Sequence, residues 1–170
     1  MRYLTRGWAG GDLDDAECEA ASAAYLARLD EIGDRLPPTV LRLAREINLH
    51  DAIVEWVHWA PIPKTLEISF VTSSDRHGRG AVLLTYRGAL LGVQKVETLR
   101  RVARDREACV LYDEVDRNSS GELVHRLLFW PNEELGIDFA ELELSVSERT
   151  DQRVNLNPYF IESIEDEDEG

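Results

Sequence analysis

The sequence predicts an α+β fold, with N-terminal helices packed on one face of a mostly antiparallel meander sheet of about six to seven strands. Three observations predict it. Helical spacing of apolar residues is clustered in the first 48 positions, with only a weak stripe of Leu99, Val102 and Ala103 beyond them. From Asp51 onward, short runs rich in β-branched and aromatic residues alternate with turn signals. The stretch from Ala108 to Pro131 reads as a hairpin, two apolar-rich runs around the polar turn N-S-S-G.

The elements follow in order. Residues 1 to 11 mix Tyr3, Leu4 and Trp8 with Arg2 and Arg6 and end in Gly10-Gly11, which predicts a docked extended arm with an aromatic anchor. A first long helix begins at Asp12, with Asp14 and Asp15 in its first turn, where negative charge complements the helix dipole. Tyr25, Leu29, Ile32 and Leu36 share one face of it, and Pro37-Pro38 ends it. A second helix runs from about Pro38 to Asn48, with Val40, Leu43, Ala44 and Ile47 as its stripe. Strands are expected at Asp51–Trp59, Lys64–Thr72, Ala81–Tyr86 and Ala89–Val96. Glu97–Arg106 is helical or irregular, the hairpin gives two further strands, and Ile137–Val146 is the last. One domain spans 1–160, with its helical part at about 12–48 and its sheet at about 51–147. Residues 161–170 form an acidic tail expected to be disordered.

Counting outward from a turn at Asn118–Gly121 sets the hairpin register. Val115 then meets Val124, Asp113 meets Arg126, Glu114 meets His125, Tyr112 meets Leu127 and Val110 meets Phe129. A one-residue slip would exchange the two faces.

A chain of 170 residues with 44% hydrophobic and 31% charged content is that of a globular protein with a real core. The net charge is −14, and removing the six acidic residues of the tail still leaves −8. Such a field argues against nucleic acid as a partner, because phosphate binding needs a basic patch. Neither a signal peptide nor an apolar run of membrane-spanning length is legible. Two distant cysteines, Cys18 and Cys109, form no disulfide framework, so a reducing cytoplasm is expected.

The order of motifs resembles a bacterial family known as a domain of unknown function. The resemblance rests on M-R-Y-L-T-R-x-W at Met1–Trp8, L-H-D-A at Leu49–Ala52, L-Y-D-E-V at Leu111–Val115 and H-R-L-L-F at His125–Phe129. Ala9 departs from the aromatic residue of the family pattern. The resemblance implies a label and no activity.

Glu114 and His125 are the candidate catalytic pair, since a carboxylate beside an imidazole suits general acid–base work. An ordinary cross-strand charge pair on the solvated face is the competing reading. Tyr112, Trp56 and Trp59 are the candidate binding aromatics. His50, Asp51 and His58 do not make a metal site, because eight strand residues separate the histidines by about 25 Å. The Ser73–Gly80 loop holds Ser, Asp and His, but a triad needs scaffold-placed groups, so a hairpin loop is expected. No cofactor motif is present.

These features predict a non-enzymatic binding or protein-interaction module with an unknown protein or small-molecule partner. The first alternative is an acidic immunity-type inhibitor of a basic toxin. The second is a hydrolase using Glu114 and His125. An exposed sheet edge would allow a homodimer.

Overall fold

The computed structural model describes residues 1–74, 78–149 and 159–162. The chain is α+β, with N-terminal helices preceding the strands. Its helices are α1 (Arg6–Gly10), α2 (Asp15–Ile32), α3 (Pro38–Glu46) and α4 (Val93–Arg104). Its strands are β1 (Ile53–Ala60), β2 (Thr65–Ser74), β3 (Gly78–Arg87), β4 (Val110–Arg117), β5 (Leu123–Phe129), β6 (Glu133–Phe139), β7 (Glu141–Arg149) and β8 (Tyr159–Glu162).

The single meander expected from the sequence is in fact two sheets. One has the order β7-β3-β2-β1-β8 and the other β4-β5-β6. All pairings are antiparallel except β1 with β8, which run parallel. The chain changes sheets at Ala140, whose N–H bonds to the Arg87 carbonyl. Leu135, Ile137 and Phe139 point inward before that residue and Leu142 after it, so the alternation skips a position. That skip divides the expected strand Ile137–Val146 into β6 and β7. Gly88 permits the crossing: its φ is +65°, and a Cβ there would lie 3.0 Å from the Ala140 Cβ.

Ala89–Val96, expected as a strand, contains instead an isolated bridge at Leu90 and the start of α4. Val96, Leu99, Val102 and Ala103 are buried at helical spacing, and this tertiary contact overrides the β-branched character of the segment. The start of α2 also moves inward from Asp12. Asp14 is the N-cap, and with Glu17 it forms a reciprocal capping box. α3 begins with Pro38, as expected.

The core lies between the sheets and the helices. Tyr86 on β3 joins the two sheets, packing edge-on against Phe139 of β6 at 5.3 Å. α4 packs against β1 and β6, and α3 against β7 and β4. Leu29, Ile32, Val40 and Leu43 carry the α2–α3 stripes into the same core. Of the expected tail, Ile161 and Glu162 belong to β8, while residues 163–170 lie outside the described residues. So do residues 75–77 of the Ser73–Gly80 loop, where β2 and β3 form the expected hairpin.

Candidate functional site

The β4–β5 hairpin forms, but one residue out of the expected register. Glu114 pairs with Arg126, Val115 with His125 and Asp116 with Val124. The cause is the turn. The Asn118 side-chain oxygen accepts from the N–H groups of Ser120 and Glu122, at 3.0 Å each, and Gly121 takes a left-handed φ of 83°. Glu122 is thereby drawn into the turn instead of pairing with Arg117, which faces Leu123. A register shift between Val110 and Tyr112 then restores the expected Val110–Phe129 pair. The slip puts Glu114 and His125 on opposite faces of the sheet, so the catalytic pair is not assembled.

Each of the two residues is instead buried in a separate polar structure. Glu114 is fully buried on the outer face, under the N-terminal segment. Its Oε1 accepts from the N–H groups of Tyr3 and Leu4, both at 2.6 Å, and its Oε2 from that of Arg2 at 2.8 Å. Three consecutive backbone donors converge on one carboxylate. This clamp docks the arm, which is not extended throughout as the sequence predicts but turns into α1 after the Thr5 N-cap, and Trp8 completes it by packing edge-on against Tyr112 at 4.4 Å. Asp116, on the same face and 1% exposed, accepts from Arg28 of α2 at 2.9 Å and from Arg2 at 3.3 Å. Arg126 lies between the two carboxylates, with Nη1 3.8 Å from Glu114 and 3.6 Å from Asp116.

Burial pushes the Asp116 carboxyl up, but the Arg28 hydrogen bond, the Arg117 N–H and the charges of Arg28 and Arg126 together hold it below its ordinary value of 3.8. A depressed folded pKa stabilises the protein above the unfolded value, and that stability is lost as pH falls through the folded one. Arg28→Gln is therefore expected to cost about 1.5–3 kcal/mol near pH 7, as a charge-assisted bond to a buried partner does. The gap from wild type in urea unfolding should narrow below about pH 4. A gap independent of pH would show that Arg28 acts by packing alone.

His125 lies on the inner face at 0% exposure. Its Nδ1 is 2.7 Å from the Tyr86 hydroxyl and its Nε2 is 3.0 Å from Asp113 Oδ2. Burial raises the Tyr86 pKa far above the ordinary phenol value, so this hydroxyl keeps its proton in its hydrogen bond with Nδ1. The other ring nitrogen, Nε2, bonds to the Asp113 carboxyl. The chain Tyr86–His125–Asp113 joins β3 to β5 and β4. Tyr86 and His125 are both sealed from solvent, and the chain bonds the two sheets together.

The candidate binding aromatics are largely committed to packing. Trp59 is 6% exposed in the core. Trp56 is half-buried and lies beside Tyr159 of β8. A register shift between Val54 and Trp56 sets which tryptophan faces inward. Tyr112 is half-buried between Trp8 and the His50 ring, which stacks on it at 5.0 Å. His50 Nδ1 reaches the Leu111 carbonyl at 2.6 Å, and His58 pairs with Glu67 at 3.0 Å. Among the described residues no group of three or more His, Cys, Asp or Glu side chains is placed to hold a metal ion. Both cysteines are free thiols. Burial, then the nearby Asp51 charge, pushes the Cys109 pKa up, the opposite of what a nucleophile needs.

The large exposed aromatic among the described residues is Trp130, which sequence reading left within the hairpin. Trp130 is 53% exposed in the β5–β6 turn. Its signal in the sequence is a large apolar residue opening the polar turn W-P-N-E-E. With Pro131 and Asn132 it forms one wall of a groove of about 530 Å³, whose other wall is the C-terminal half of α4 (Arg100, Arg101, Arg104) and whose lining includes Val102 and Ala108. The turn is held firmly. Arg6 of α1 donates to the carbonyls of Pro131 at 2.6 Å, Phe129 at 3.1 Å and Glu133 at 3.2 Å. Arg101 binds both oxygens of Glu133, at 2.7 and 2.9 Å.

No family model, curated protein or solved structure matches the chain. No helix among the described residues is long and apolar enough to cross a membrane.

Proposed function

We propose that the chain is a non-enzymatic protein-interaction module that receives a segment of its partner in the groove beside Trp130. The observation that carries this reading is a half-exposed tryptophan at the mouth of a 530 Å³ groove. Arg6 and the Arg101–Glu133 pair fix its turn in advance. A tryptophan on a rigid turn loses little freedom on binding, which is how interface hot spots gain affinity. The lining mixes Arg100, Arg101, Arg104, Glu97, Asp105 and Glu133 with apolar Val102, Ala108 and Pro131, a composition suited to a polypeptide segment. Glu114 and His125, the residues an enzymatic reading would need, are occupied by internal hydrogen bonds. The reading keeps the cytosolic bacterial setting expected from the sequence.

The test is affinity capture from a lysate of the source cells, with Trp130→Ala beside wild type and Ile62→Ala as the control. Ile62 is 70% exposed outside the groove lining. Trp130→Ala is expected to weaken the captured complex by about 2 kcal/mol or more, roughly 30-fold, while Ile62→Ala leaves it unchanged. Equal capture by all three proteins would remove the groove from the interface.

A specific observation favours the immunity-type inhibitor as second reading. Asp12, Asp14, Asp15, Glu17 and Glu19 are all exposed around the start of α2, and no Lys or Arg lies between Arg6 and Arg28. The folded body thus carries an acidic face apart from the tail, able to steer a basic partner. If the captured protein is basic and is lost on neutralising Asp12, Asp15 and Glu19 but kept by Trp130→Ala, this reading replaces the first.

A further inference from the structure

The edge strands of the two sheets are treated very differently. The outer edge of β4 is occupied along its length. The Val115 N–H donates to the Tyr25 hydroxyl at 2.8 Å, and Val110 exchanges backbone bonds with Asp51 and Ala52. The Leu111 carbonyl is taken by His50. The β6 edge is met by Leu90, whose N–H donates to Asp138. β7, by contrast, ends the larger sheet on one side. It has nine residues, E-L-E-L-S-V-S-E-R, without proline, glycine or lysine, and its register with β3 is unbroken from Glu141 to Arg149. Proline, lysine and a bulge, three of the devices that blunt an edge, are therefore missing from it, and Glu148 is the single charge on its apolar face. Among the described residues no backbone bond is made to its outer side.

We propose that β7 pairs antiparallel with β7 of a second copy of this chain, centred on Ser145, joining two five-stranded sheets into one. The sequence of the strand is self-complementary about that centre. Glu141 falls opposite Arg149, Glu143 opposite Ser147, and Leu144 opposite Val146. Glu148 falls opposite Leu142 on the apolar face, the one mismatched pair of the register. The Glu141–Arg149 match acts at both ends of the pairing, because a two-fold interface uses each contact twice. The inner-face pair explains one feature of β7. Val146 sits on the apolar face, opposite buried Val82 of β3, yet is 50% exposed. Pairing with the Leu144 position of a second copy would cover it. Backbone addition along an edge with alternate side chains setting register is an established mode of strand recognition.

The test is the mass of the full chain in solution by light scattering, from about 1 to 100 μM, a range suited to a small edge interface. Wild type is expected to rise from 19.3 kDa toward twice that mass. Glu141→Arg and Val146→Lys should each keep the chain monomeric with unchanged melting temperature, both positions being exposed. Glu141→Arg/Arg149→Glu should restore the dimer, which a merely structural role for either residue would not produce. A wild-type monomer throughout the range overturns the proposal. So does a dimer indifferent to Glu141→Arg and Val146→Lys.

Discussion

Glu114→Ala is expected to be among the most destabilising single substitutions in this chain, costing about 3–5 kcal/mol, the range for breaking a buried charged arrangement from one side. It leaves the N–H groups of Arg2, Tyr3 and Leu4 without their acceptor and Arg126 beside one fewer carboxylate. An unmade bond to a buried donor costs more than a made one contributes, so the loss concentrates on the arm. For a chain of this length the melting temperature should fall by roughly 10 °C. Hydrogen exchange should speed up first at residues 2–4. Glu114→Gln is the sharper variant, because its amide nitrogen presents hydrogens to one or more of the same donors. It should recover little of the loss. A Glu114→Gln protein as stable as wild type would mean that shape, and not the anionic acceptor, seats the arm.

His125→Ala is expected to cost about 2–5 kcal/mol, combining a cavity with two stranded polar partners. Tyr86→Phe removes only the hydroxyl bonded to Nδ1 and should cost about 1–3 kcal/mol. In a double-mutant cycle the two losses should fall short of additivity, because the Tyr86 hydroxyl and the imidazole are 2.7 Å apart and form one bonded unit. Strict additivity would mean that the hydroxyl–imidazole bond contributes nothing. The structural consequence is specific. This chain ties β3 of one sheet to β5 of the other, so its loss should loosen the contact of Tyr86 with Phe139 before it melts either sheet. Loss of the near-ultraviolet aromatic signal ahead of far-ultraviolet ellipticity would report that order.

The two buried centres also show why the site was harder to read than the fold. Glu114 and His125 stand out in the sequence as titratable groups in apolar strands, yet both are fully buried, and the solvated face of the competing reading holds neither. Their partners are remote. Glu114 answers Arg2, Tyr3 and Leu4, and His125 answers Tyr86, separations of about one hundred and of 39 residues along the chain. No local pattern marks such pairs. The acidic face at the start of α2 could be read directly, since every residue in it is local. Trp130 was equally visible as a residue, but its exposure depends on Arg6 and on α4, which close around its turn.

Sequence by itself determined the α+β class, the helical stripe of Tyr25, Leu29 and Ile32, the start of α3 at Pro38 and the hairpin between Val110 and Phe129. These follow from periodicity and from turn chemistry, which act over a few residues. Only the tertiary structure decided the rest. It divided one expected meander into two sheets at Ala140 and turned Val93–Val96 into helix against β1 and β6. It also slipped the hairpin by one residue through the Asn118 side chain, separating Glu114 from His125. In a strand of period two, one added turn residue exchanges the faces, so a bond at Asn118 set the neighbours of residues four positions away.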